Sequence, residues 1–280
     1  MGRKLVFEQF DNLTLFARSL ERKENAVFKG ETLASKTKRS GGWAGTETFE
    51  EAMDLFNNGW TEKVEEIRKG LVQFEKAQER NVSYQKNRPA TSVVGFAPHV
   101  PNAILGLPNS MIMTERTPMK AKAVRIIYNM SMNCGTDAKD ILNAGLVVLK
   151  IAYSMELKGY RVRIDALPFS AHKSREDAAC IVCVKDWRQH IDIKKVAFPI
   201  ANPAMFRRLG FRWLETTPNL TDTGYQGGYG RSFEDDEAEK DMLRRAGVLS
   251  DTDYYMNVPM AEKQNFDVDK VAEAIGIKNF

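Results

Sequence analysis

A three-layer α/β sheet is the fold that this sequence predicts. Three stretches carry the prediction. Residues 124–128 form a short run rich in β-branched side chains. Residues 140–157 are apolar at helical spacing, and residues 160–167 alternate apolar with charged. Together they read as strand, buried helix, strand, which is the repeating unit of a sheet with helices on its faces.

Each element has a local reason. Val124, Ile126, Ile127 and Tyr128 suit a strand with buried faces. Thr136 or Asp137 offers a side-chain oxygen to the orphan amides of the next helix. Ile141, Val148, Ala152 and Met155 recur at helical spacing, as do Leu142, Leu146, Leu149 and Tyr153, so this helix is apolar on nearly all sides and expected to be buried. Lys158-Gly159 supplies its stop, because glycine tolerates the left-handed residue that ends many helices. Val162, Ile164 and Ala166 alternate with Arg161, Arg163 and Asp165, and the continuous run 178–184 reads as a central strand beside 124–129. Residues 194–200 read as another short strand. Asn202-Pro203 reads as a helix entry with Gly210 as its end, and 211–214 as a further short strand. A glycine-rich loop at 221–232, an acidic helix at 233–246, a strand at 253–258 and a helix at 268–275 complete the order.

The segments before this region differ. Residues 1–90 read as a helical N-terminal extension. Thr48 and Glu51 form a capping box there, Gly59 ends the first helix, and Thr61 starts a second. Residues 91–119 read as a proline-rich connector, punctuated by Pro98, Pro101, Pro108 and Pro118. Its Val93, Val94, Phe96, Val100, Ile104, Leu105 and Ile112 are too many apolar residues for a solvated linker, so it should be ordered. Residues 120–280 then form the α/β domain.

Composition limits the function classes. With 43% hydrophobic and 28% charged residues, the chain has the balance of a globular protein. The richest apolar stretch is interrupted by Asn143 and Lys150, and no apolar core follows the basic N-terminus. Neither a membrane span nor a secretory signal is therefore expected, and a membrane partner is not expected either. Cys134, Cys180 and Cys183 are too few and too scattered for a disulfide framework. Cys180 and Cys183 fall in a strand on opposite faces, so the expected setting is reducing and cytoplasmic. The net charge of +4 is unevenly placed: residues 158–215 hold twelve Lys/Arg against six Asp/Glu, while 216–280 hold seven against thirteen. Such halves can neutralise each other in one fold or between subunits.

The loop after the first α/β strand reads Asn129-x-Ser131-x-Asn133. It is one substitution at each end from Asp-x-Ser-x-Ser, and it resembles the divalent-metal loop of von Willebrand A domains over residues 120–217. The resemblance implies a Rossmann-like sheet and a magnesium-type ion held by oxygen ligands, with further ligands from later loops, where Asn202 and Thr221 or Asp222 stand. Here amides replace the charged ligand, and amides do not offset the dehydration of a hard cation, so no cofactor is expected and magnesium is the ion to test. A second likeness covers most of the chain. Residues 45–52 (Gly-Thr-Glu-Thr-Phe-Glu-Glu-Ala), 95–101 (Gly-Phe-Ala-Pro-His-Val-Pro) and 198–211 (Phe-Pro-Ile-Ala-Asn-Pro-Ala-Met-Phe-Arg-Arg-Leu-Gly-Phe) resemble uncharacterised proteins of bacteriophages and prophages. That likeness implies a phage origin and brings no activity with it.

Two functions follow as expectations. The first is a non-catalytic interaction or assembly module whose partner is a protein, either a second copy or another phage protein. Its binding region would be the loop at 129–137, near the carboxyl ends of the strands. The alternative is nucleic-acid binding or processing through the basic segment, with Lys194, Lys195, Arg207 and Arg208 as contacts. A metal-dependent hydrolase is opposed by the lack of clustered carboxylates. His99, His172 and His190 are scattered without metal-ligand spacing.

Overall fold

In the computed structural model the described residues are 4–37, 41–78, 88–115, 122–173, 175–226, 228–229 and 236–277. In chain order they form β1 (Lys4–Phe10), α1 (Leu13–Leu20), α2 (Gly41–Ala44), α3 (Phe49–Asn58), α4 (Thr61–Gln78), β2 (Arg88–Ser92), β3 (Ala97–Pro98), α5 (Val100–Ile104) and β4 (Met111–Glu115). There follow β5 (Ala123–Asn129), α6 (Ala138–Leu157), β6 (Arg161–His172), β7 (Glu176–Lys185), α7 (Ile193–Ala201), α8 (Phe211–Thr216), α9 (Asp236–Arg245), β8 (Tyr254–Asn257), α10 (Val258–Lys263) and α11 (Val268–Ala274).

The central sheet has the order β1-β7-β6-β5-β8. β5 runs parallel to β6 and to β8, β7 is antiparallel to β6, and β1 is parallel to β7. Alternate strand residues point to opposite faces, which divides the core in two. Ile126, Tyr128, Ile164, Cys180 and Val182 face the larger cluster with α6, α7 and the N-terminal helices. Ile127, Leu167, Ala179, Ile181 and Tyr255 face a smaller one with Met242 and Leu243 of α9. This is the three-layer, Rossmann-like α/β arrangement, with β5, α6 and β6 as its parallel crossover.

Much of the sequence reading holds locally. α6 is buried along most of its length, and Gly159 follows it at φ +87°. The Thr48 side chain accepts from the Glu51 amide and Gly59 closes α3, while the Glu51 carboxylate takes the amide of Glu47, one residue before its capping-box partner. Asp137 does sit at the α6 N-cap, but its side chain makes no capping bond.

Four expectations are corrected. Residues 124–129 and 178–184 share the sheet but are not neighbours, because β6 lies between β5 and β7. Residues 194–200 are helical, not a strand: Asp192 caps α7 at the Lys194 amide, and Val196, Ala197, Phe198 and Ile200 are all buried. Packing overrides Pro199, whose missing amide weakens any helix interior. Gly145 of α6 explains the fit, since a Cβ there would lie 2.3 Å from the Ile200 carbonyl oxygen. Residues 211–214 are likewise helical. Gly210 does not stop the preceding helix, because a π-helical turn over Met205–Gly210 runs directly into α8. Gly210 is small for a different reason: a Cβ would meet the Pro168 carbonyl oxygen at 2.2 Å.

The fourth correction concerns organisation. Residues 1–90 are not only helical and not separate. β1 adds an edge strand to β7, and Phe16, Leu20, Phe28, Phe56 and Ile67 join the main core. The Trp213 indole donates to Glu8 at 2.6 Å, tying α8 to β1. Residues 88–115 stand apart instead, as a three-stranded antiparallel sheet, β2-β4-β3, with the short α5. This arm is ordered, as its apolar content suggests, yet it contributes no residue to either core cluster.

Candidate functional site

At the carboxyl ends of β5, β6 and β8 the sheet gathers a buried polar network. Asn129 ends β5, Tyr255 and Asn257 belong to β8, and Glu239 comes down from α9. The Asn129 amide nitrogen donates to both Glu239 oxygens at 2.8 Å, and the Tyr255 hydroxyl donates to Oε2 at 2.5 Å. Asn129 Oδ1 accepts from the Ser131 amide at 2.8 Å, which fixes the orientation of the side-chain amide. Ser131 Oγ donates to the Ser170 carbonyl at 2.6 Å, joining the loop to β6. At the rim, Asn257 donates to Asp236 at 2.6 Å, and His172 Nδ1 lies 3.0 Å from Asp177.

Glu239 is 2% exposed. Burial raises its pKa, against the hydrogen bonds of Ser170, Tyr255 and Asn129, and the nearby Asp236 charge adds to the rise. Tyr255 is pushed up as well, by burial and by the Glu239 charge. The arrangement holds α9 against the sheet through a carboxyl group enclosed by donors.

The site does not fit a magnesium-type ion. A hard cation needs oxygen lone pairs directed at it. Asn129 turns a donor, not an acceptor, toward Glu239, and its oxygen is taken by the loop backbone. Ser131 Oγ keeps its lone pairs while donating to Ser170, but one neutral oxygen does not offset the dehydration of such an ion. Among the described residues no group of three or more His, Cys, Asp or Glu side chains is placed to hold a metal.

Only two of the expected loop residues meet there. Asn133 lies exposed on the loop, its carbonyl accepting from the Thr136 amide at 3.1 Å. Asn202 is buried at the end of α7, where Oδ1 accepts from the Ala204 amide at 2.8 Å. Asp222 caps the short turn Thr223–Tyr225 and accepts from the Arg175 amide. Neighbouring Glu176 takes the amides of Thr221 and Asp222 at 3.0 and 2.9 Å, the Thr221 hydroxyl, and Lys4 at 2.7 Å. Burial opposes its ionisation, but these donors outweigh burial and hold the carboxyl at about 2.

The basic candidates divide. Lys194 and Lys195 are exposed, the latter 3.7 Å from Asp192. Arg207 and Arg208 are both fully buried, which removes them as nucleic-acid contacts. Arg207 stacks on Trp43 at 4.4 Å and donates to the Trp43 and Thr136 carbonyls at 2.5 Å. Desolvation lowers its pKa to about 10. Arg208 donates to the carbonyls of Ser35, Thr37, Thr46 and Glu47 at 2.6–3.1 Å, so it staples the N-terminal segment to the π-helical turn. Adjacent charges in a sequence read as a surface patch; burial with backbone acceptors leaves no local signature.

Glu239, Tyr255 and Ser170 were not among the sequence candidates. The signal for Glu239 was its spacing: it lies on the same helical face as Met242 and Leu243, the buried face of α9. The glycine-rich loop is also more structural than its composition suggests. Tyr225 is buried, and Tyr229 stacks on Phe28 with ring centroids 5.6 Å apart.

A family model described as a domain of unknown function (DUF7192) matches residues 2–279. The chain belongs to that family. The match runs through the sheet, the polar network and the arm alike. No curated protein and no solved structure matches the chain. Among the described residues no helix is long and apolar enough to cross a membrane.

Proposed function

We propose that this DUF7192 protein is a non-catalytic assembly module, phage-encoded as its sequence likeness implies, that joins protein partners through the arm at 88–115. A second copy of the chain is its first partner. One observation carries the reading: the arm exposes Phe96 at 75%, Ile104 at 80%, Leu105 at 71% and Val94 at 70%. Large apolar residues exposed this heavily within one segment suit a protein contact site, where singly scattered ones need no partner. The buried network around Glu239 suits a scaffold more than a reaction centre, since both Glu239 oxygens are taken by Asn129 and Tyr255 of the same chain. The von Willebrand A-like reading of the loop stands beside this as a reading of ancestry without its ion.

The test is the oligomeric state of the full chain. Sedimentation should show concentration-dependent association of the wild type. The triple variant Phe96→Ser, Ile104→Ser, Leu105→Ser should run as a monomer with unchanged circular dichroism. A wild type that stays monomeric, or a triple variant that still associates, removes the arm from the mechanism. Of the four cations singled out in the basic segment 158–215 for the nucleic-acid alternative, Lys194 and Lys195 are the exposed ones.

A further inference from the structure

Away from the polar network, α4 and α6 leave an open cleft of about 350 Å³ between them. Its floor is Ile67 and Leu71 from α4 and Leu142, Leu146 and Leu149 from α6. Leu142 and Leu146 are only half-buried, unlike Ile141, Ala144, Val147 and Val148 beside them, so this side of α6 is incompletely covered at the cleft. Gly70 lines the cleft too, and a Cβ there would meet nothing within 4 Å. The rim is basic. Lys63 is engaged by Glu66 at 2.6 Å, while no ion pair among the described residues engages Lys69 or Lys150.

An apolar floor under two uncompensated ammonium groups selects a ligand with an apolar body and an anionic end. The volume fits one small molecule, at the lower end of the roughly 300–1,000 Å³ usual for such sites. It does not fit a packed helix from a partner. We propose that the α4–α6 cleft binds a single-chain amphiphile, its alkyl chain on the leucine floor and its carboxylate at the Lys69–Lys150 rim. The proposal is independent of the assembly reading, since the arm lines no part of the cleft.

Calorimetric titration of the full chain with decanoate, below its micelle concentration, tests it. Decanol and decyltrimethylammonium serve as neutral and cationic comparators. Decanoate should saturate a single site, with decanol and the cation at least about tenfold weaker. The double variant Lys69→Glu, Lys150→Glu should weaken decanoate by about tenfold or more. Gly70→Leu fills the cleft and should abolish binding without lowering the melting temperature, because glycine is the poorer helix former. Absence of saturable decanoate binding overturns the proposal. So does equal binding of all three amphiphiles, or binding indifferent to Gly70→Leu. The arm triple variant should bind as the wild type does; tighter decanoate binding there would make the arm the occupant of the cleft and would also overturn it.

Discussion

Helix α6 and the arm are built from similar apolar residues and meet opposite fates. In α6, Ile141, Val148, Leu149 and Ile151 are within 1% of complete burial, whereas in the arm Val93, Phe96, Val100 and Ile104 are all more than half exposed. Composition does not separate them; punctuation and neighbours do. α6 has an uninterrupted helical period and a strand on either side that brings it onto a sheet. The arm is cut by prolines into pieces of two to five residues, and its own three-stranded sheet is too small to cover a hydrophobic face. Apolar content alone therefore does not report whether a segment is buried; periodicity and the neighbouring strands do.

The contrast can be attacked at its strongest point first. Trp213 is fully buried, with its ring centroid 5.7 Å from that of Phe169. Trp213→Ala should cost about 3–5 kcal/mol in chemical denaturation, the usual loss for a buried aromatic. A cost near zero would mean that the body is packed no better than the arm.

The polar network offers the next largest effect. Asn129→Asp sets a second carboxylate against Glu239 in a buried site. A loss of about 3 kcal/mol at neutral pH is expected, because a second carboxylate is buried beside Glu239 and the amide donor that Glu239 relied on is lost. Acidification should recover part of it, since one of the two carboxyls can then hold a proton. If magnesium recovers it instead, the substitution has restored the ion site that the loop resembles.

Glu176 gives a smaller, pH-resolved effect. Its carboxyl lies at about 2 in the folded chain against an ordinary 4.5. The depressed value means that the ion's contribution is fully present above 4.5 and is lost as pH falls from there toward 2. With Lys4 46% exposed the pair is partly screened, and the contribution is about 2 kcal/mol. Denaturation measured between pH 6 and 3 should show it, and Glu176→Gln should remove that part of the pH slope.

The arm provides the smallest change in stability. Phe96→Ser should alter unfolding by no more than about 0.5 kcal/mol, the range of ordinary surface substitutions. A loss as large as that of Trp213→Ala would show that the arm is packed in the isolated chain.

How far the fold was legible follows from the same contrast. β5, α6, β6 and β7 announced themselves because their periods are long and clean. β1 did not, although Leu5, Val6 and Phe7 are there, because its pairing partner lies far along the chain. Residues 194–200 misled because Val196, Phe198 and Ile200 alternate as in a strand. The decision for helix was made by Asp192 at the cap and Gly145 opposite. Of the site, Asn129 and Ser131 were legible as a loop pattern. Their partner Glu239 lies more than a hundred residues away, and only tertiary structure brings it to them. Arg207 and Arg208 show the limit most plainly, since their acceptors are backbone carbonyls and carry no sequence signal.

The distant pairing of β1 has a consequence for synthesis. Its partner is β7 at residues 176–182, so residues 4–10 leave the ribosome long before their partner strand exists. Elongation at roughly 5–20 residues per second makes that wait on the order of ten seconds. During it Val6, Phe10 and Phe16 have no core to enter. The segment at 4–20 is then a client for any chaperone that reads apolar stretches, and nascent chains halted before residue 176 should be cut by protease within it. Only when β7 emerges does the beginning of the chain acquire a place.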